Sequence, residues 1–164
     1  MVRAFRGEYH QKVDAKGRVS IPAPFRRVLE AGDPAWENGK LPEFVLVYGD
    51  DRRAFLEGFT VDGMASVDAK IRKLPRGSKK RHVLSRLYSG RSVTLSVDET
   101  GRFVLSPKLR EKLGITNEAY FIANNDTFEI WTPETFEAEN NLALDDEDFD
   151  PDLDPSVYLD VDEE

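Results

Sequence analysis

Cysteine is absent from the 164 residues. That removes disulfides, thiolate metal sites and cysteine nucleophiles, and it fits a chain that works in a reducing compartment. No apolar run approaches the ~20 residues of a membrane span. The opening stretch "MVRAFRGEYHQK" has no apolar h-region, so a secretory signal is not expected. Only two histidines occur, His10 in a strand candidate and His82 beside three bases. Walker loops, dinucleotide fingerprints and zinc spacings are missing as well. These gaps argue against an enzyme and against a metal or organic cofactor. The acidic run Asp148, Asp150, Asp152 imitates the start of a calcium loop. However, its sixth position is Leu153 instead of Gly and its twelfth is Leu159 instead of Glu, so no calcium site is expected.

Basic residues are missing from the whole C-terminal third. Residues 1–112 hold all 23 Lys and Arg against 14 acids, while residues 113–164 hold 17 acids and no base. The overall charge of −8 therefore hides a basic body followed by an acidic tail. From Ala69 to Val97 the imbalance is sharpest, with nine Lys or Arg and no acid.

Against this background one frame recurs. "DAKGRVSIP" begins at Asp14 and "DETGRFVLS" at Asp98, 84 positions on. Each Asp-x-x-Gly-Arg is preceded by a strand candidate (Gly7–Val13, Arg91–Val97). Each is followed by apolar-polar alternation (Arg18–Ile21, Arg102–Leu105) and then a short helix opened by proline. Phe25-Arg26 and Leu109-Arg110 fall at matching places. This reads as an internal duplication. The four-residue loops read as hairpin turns, with Asp14 and Asp98 accepting backbone N–H groups and Gly17 and Gly101 free to take positive φ.

Further along, "EFVLVYG" predicts a buried strand, followed by a helix near Asp51–Glu57. "EAYFIANNDTFEIW" predicts two strands turned at Asn124-Asn125-Asp126, and Pro133 opens a helix through Phe136. Met64, Val67, Ile71 and Leu74 form a helical stripe. Ser78 caps a second helix with Val83, Leu84 and Leu87 inward. The predicted organisation is a first repeat over 3–58, a helical connector over 59–88, a second repeat over 89–138, and a disordered acidic tail over 139–164.

A narrow loop exposing Lys16 and Arg18 suits a DNA groove, where Lys and Arg meet phosphates and Arg can pair with guanine. The plainer alternative is a β-turn whose Asp and Arg pair only with each other, worth about 0–1 kcal/mol. Lys79, Lys80 and Arg81 are possible phosphate contacts, though a solvated helix face explains them more simply.

"FRGEYHQKVDAKGRVSIPAPFR", "RLYSG" and "VDETGRFVLSPKLREKLG" together resemble the MraZ family of bacterial transcriptional regulators, over about residues 3 to 138. The resemblance implies an α+β fold of two pseudo-symmetric SpoVT/AbrB-like, swapped-hairpin halves. It also implies a cytoplasmic, nucleoid-associated, ring-shaped homo-oligomer. Such a protein would bind direct repeats in double-stranded DNA upstream of the division and cell-wall gene cluster, as a repressor. Carried onto this chain, the DNA contacts would be Lys16, Arg18 and Arg102, with Asp14, Gly17, Asp98 and Gly101 shaping the loops. The second loop departs from the first by having Glu99 and Thr100, so the first loop is expected to dominate. The alternatives are an antitoxin-like protein-interaction module and sequence-indifferent nucleic-acid binding. The acidic tail would serve solubility, or compete with DNA for the basic surface.

Overall fold

The computed structural model describes residues 4–144 and 148–160. They fall into two units that meet in sequence at Pro133. In the first unit one order of elements occurs twice. The first copy runs β1 (Glu8–Lys12), β2 (Arg18–Ser20), α1 (Ala23–Ala31), β3 (Glu43–Val47), β4 (Leu56–Thr60) and α2 (Val61–Arg72). Helix α3 (Lys79–Ser85) and a π-turn (Arg86–Gly90) lead onward. The second copy runs β5 (Ser92–Ser96), β6 (Arg102–Val104), α4 (Pro107–Leu113), β7 (Glu118–Asn124) and β8 (Thr127–Trp131), and α5 (Pro133–Leu144) opens the second unit. From β1 to β4 each element thus has a counterpart in β5 to β8, while α2 falls in the 59–88 span read as the connector.

Pairing follows a pseudo-twofold pattern. Six strands form one antiparallel sheet in the order β1-β7-β8-β4-β3-β5, and β2 and β6 form a separate two-stranded ribbon. The leading strand of each copy pairs with a strand of the other copy, β1 with β7 and β5 with β3. The expected hairpins therefore shrink to their turns. Between β1 and β2 only the Val13–Val19 bridge remains, after which β2 leaves to pair with β6. Alternation marks a strand and its inward face, but any antiparallel partner in register satisfies it equally.

The ribbon's inward residues Val19 and Phe103 are almost fully buried. Phe103 packs edge-on against Phe44, with ring centroids 5.2 Å apart. They share a core with Phe25, Leu29, Leu105, Leu109, Phe121 and Phe128. Burying each such side chain contributes about 1.5–3 kcal/mol. This anchoring forces the alternate residues Arg18, Ser20, Arg102 and Val104 outward. A smaller cluster of Val45, Val47, Phe59 and Met64 lies under α2.

Two local expectations are corrected. The Asp51–Glu57 segment is a turn leading into β4. The Asp50 carboxylate accepts from Arg52 N–H at 2.8 Å, an alternative to helical bonding, and β4 is claimed on both sides by β3 and β8. Ser78 does cap α3, accepting from Arg81 N–H at 3.2 Å, yet α3 buries no residue and Val83 is exposed. A seven-residue helix with one neighbouring helix has little apolar surface to cover it.

The second unit is described by itself. The reading of 139–164 as wholly disordered does not hold for the described residues. Helix α5 continues past Phe136 to Leu144, and Pro155–Leu159 form a 3-10 turn. That turn is capped by Asp154, whose Oδ1 accepts from Ser156 N–H at 2.9 Å. Phe149 and Tyr158 rings meet 5.1 Å apart. Proline at the first position and an acidic cap suffice to nucleate a single turn, even in a segment with no core of its own. Residues 145–147 and 161–164 lie outside the described residues.

Candidate nucleic-acid interface

In the first loop, Gly17 N–H donates to the Asp14 carbonyl at 2.9 Å. Asp14 Oδ1 accepts from the backbone N–H groups of Lys16 (3.0 Å) and Arg18 (2.9 Å). Its Oδ2 accepts from Arg18 Nε at 2.6 Å. The Arg18 backbone N–H, foremost, and the Arg18 guanidinium hold this carboxyl below the usual carboxylate range. Asp14 is thereby an acceptor that ties one turn together.

The second loop reproduces the frame with one substitution in the wiring. Asp98 Oδ1 accepts from Thr100 N–H (2.9 Å), the Thr100 hydroxyl (2.8 Å) and Arg102 N–H (2.9 Å). Arg102 Nε donates to Thr100 Oγ1 at 2.8 Å, while its distance to Asp98 Oδ2 is 3.8 Å. The threonine hydroxyl thus relays what is a direct ion pair in the first copy. The carboxyl of Asp98 is also lowered, first by the Arg102 backbone N–H and then by the Thr100 hydroxyl.

Both arginines are spent only at Nε. Among the described residues their Nη atoms have no partner, and their side chains are 39% and 35% exposed. Lys16 is exposed at the loop apex. The arginines do not stand at the loop tips. They open β2 and β6, in a register that sets Arg18 opposite Val104 and Ser20 opposite Arg102. The two guanidinium groups therefore sit diagonally on one outward ribbon face, with backbones about 7–8 Å apart. Both arginines line a single open cleft of about 660 Å³, with His10, Lys12, Asp14 and Ser20 around it.

Helix residues support these loops from the opposite copy. Arg110 Nε donates to the Leu105 carbonyl at 3.0 Å and lies directly under Gly17. Its counterpart Arg26 reaches Gly101. Neither was singled out as a site residue, although the matched Phe25-Arg26 and Leu109-Arg110 pairs were the visible signal. The connector cations do not join the cleft. Lys79 and Lys80 are exposed on α3, and Arg81 Nη1 instead donates to the carbonyls of Arg72 (3.3 Å) and Leu74 (3.1 Å) at the end of α2. A cation there satisfies helix-terminal carbonyls. Among the described residues, no cluster of His, Asp or Glu has the makings of a metal site, and no helix is long and apolar enough to cross a membrane.

A duplicated α+β scaffold presenting a two-stranded ribbon with two outward arginines defines the class of protein, one of paired loop-and-strand repeats. The chain belongs to the MraZ family. The model of the MraZ protein family, described as antitoxin-like, matches residues 4–51 and 90–148. "Transcriptional regulator MraZ" of Ruegeria sp. (strain TM1040) is 57% identical over 157 residues, covering 92% of this chain and 94% of that protein. The protein of the same name from Ruegeria pomeroyi is 56% identical over 162 residues, covering 98% of this chain and 97% of its own. That from Xanthobacter autotrophicus is 37% identical over 136 residues, covering 82% and 80%. The likeness therefore runs past Glu139, beyond the span of about 3 to 138 over which the motifs carry the resemblance. These relatives carry the name of a transcriptional regulator, which is not an enzyme class.

Proposed function

We propose that this chain binds specific double-stranded DNA through the β2–β6 ribbon and its two loops, and so represses transcription. The observation that carries this reading is the outward face of the ribbon. It holds two guanidinium groups with unengaged Nη atoms, on a structure as wide as two strands. The major groove admits a two-stranded β-ribbon, and Arg Nη atoms pair with guanine or phosphate there. Lys16 adds a phosphate contact at one end. The bland reading, that each Arg only closes its own turn, accounts for Nε, on Asp14 in one loop and on Thr100 in the other, and leaves the Nη atoms unexplained.

The target proposed is a set of direct repeats upstream of the division and cell-wall gene cluster, bound by a ring of copies in the nucleoid of the cytoplasm. One ribbon makes few contacts, so neighbouring subunits on adjacent repeats would supply avidity. Footprinting on the DNA upstream of the protein's own gene tests the proposal. Arg18→Ala is expected to lose binding by at least about fivefold, a contact worth about 1–3 kcal/mol. Arg102→Ala is expected to lose less, because Glu99 and Thr100 leave its loop without the cation that Lys16 supplies. Equal losses would refute the dominance of the first loop. Undiminished binding by both variants would refute the site.

A second reading has two observations behind it. The matching family model is described as antitoxin-like, and residues 113–164 carry 17 acids and no base. A small basic protein co-purifying with the full chain, and lost on truncation after Asn140, would favour an interaction module.

A further inference from the structure

The outward ribbon face is almost its own image under the pseudo-twofold relation. Arg18 corresponds to Arg102, and the inward Val19 to Phe103. The outward row breaks the symmetry at one pair, Ser20 and Val104. Val104 is 50% exposed, although its neighbours Phe103 and Leu105 are buried. A lone exposed apolar residue is ordinary. This one, however, stands directly opposite Arg18, on the face that the proposed function lays in the groove. The loops break symmetry in the same direction, with Lys16 in one and Thr100 in the other. Lys16, Arg18 and Val104 therefore gather at one end of the ribbon, and Thr100, Arg102 and Ser20 at the other.

A twofold-symmetric reader prefers a palindrome and cannot tell the two directions of its site apart. A reader with one apolar and one hydroxyl corner can. The apolar group that DNA offers in the major groove is the C5-methyl of thymine. We infer that Val104 contacts a thymine methyl beside the base or phosphate held by Arg18, and that this contact, unmatched at Ser20, fixes the direction in which the ribbon lies on DNA. The inference rests on the proposed function, and it adds a specificity-determining residue and a polarity to it.

The test uses the full chain and a duplex recovered by selecting it from a randomised pool. Each thymine of that duplex is replaced singly by deoxyuridine, which removes only the methyl group, and binding is followed by fluorescence anisotropy. Wild type is expected to lose about three- to fivefold at one thymine per bound unit, the worth of burying one methyl. Val104→Ser should bind the thymine and deoxyuridine duplexes alike. Ser20→Val should create a second sensitive thymine at the twofold-related position. Val104→Thr keeps the branch and one methyl, and is expected to retain part of the sensitivity. Thermal melting checks that each variant is folded, which a half-exposed position favours.

Wild type that binds its selected duplex but ignores every deoxyuridine would overturn this inference and leave the DNA site standing. So would a folded Val104→Ser protein with undiminished methyl sensitivity. A pool that enriches no sequence, or Arg18→Ala and Arg102→Ala proteins that bind as tightly as wild type, would overturn the site itself.

Discussion

The carbonyl of Gly17 accepts a hydrogen bond from the backbone N–H of Leu105 at 2.8 Å, and that of Gly101 accepts from Ile21 at the same distance. Each loop is thus tied to the strand end of the other copy. The two φ angles are +85° and +79°, in the left-handed region. The loops are shaped from within by Asp14 and Asp98 and held from outside by the opposite repeat.

This geometry separates two otherwise equivalent substitutions. A Cβ on Gly17 would lie 2.3 Å from the Leu105 carbonyl oxygen, whereas one on Gly101 would meet only Arg26 Nη1 at 3.4 Å. Both variants bear the left-handed cost of about 1–2 kcal/mol. Gly17→Ala must also displace backbone. Chemical denaturation should show Gly17→Ala as the more destabilised by at least about 1 kcal/mol. A smaller loss than for Gly101→Ala would contradict the cross-copy contact.

The repeats should not fold apart. β1 needs β7, β5 needs β3, and the ribbon needs one strand from each copy. Expressed alone, residues 1–88 and 89–164 are each expected to lack a cooperative thermal transition. Mixing the two should restore one. A sharp melt from either piece by itself would show that the exchanged pairing is dispensable.

Titration of the two loop aspartates follows from their partners. Asp14 and Asp98 are held below the ordinary value near 3.9, chiefly by backbone N–H donors. A carboxyl depressed in the folded state adds stability that is fully present above its unfolded pKa and is lost as pH falls through the folded one. Carboxyl NMR titration should give midpoints below about 3.9 for both. The backbone N–H shifts of Arg18 and Arg102 should move in step. Midpoints at or above the ordinary value would show that the turns are not held by these groups.

Lys16→Ala should weaken DNA binding to a similar degree on all sequences and lower the slope of log affinity against log salt by about 1. Thr100→Ala has no cation to lose and should leave that slope unchanged. A sequence-selective effect of Lys16→Ala would mean that it reads a base instead of a phosphate.

Much of this was legible in one dimension. The twin Asp-x-x-Gly-Arg frames, the glycines that must turn left-handed, the capping Ser78 and the alternation that buries Val19 and Phe103 while exposing Arg18 and Arg102 are local matters. Steric limits on φ and a side-chain period of two decide them before any partner is chosen. What the chain could not declare was partnership. Whether β2 folds back on β1 or crosses to β6 leaves the same residues inward, so it is decided by how both copies fill a common core around Phe44, Phe103, Phe121 and Phe128. Tertiary structure alone moved the arginines from imagined fingertips to the diagonal of a shared ribbon and took Arg81 for a helix end. It also made a strand of Leu56–Thr60, because contacts between segments distant in sequence outweigh the weak preferences of either segment alone.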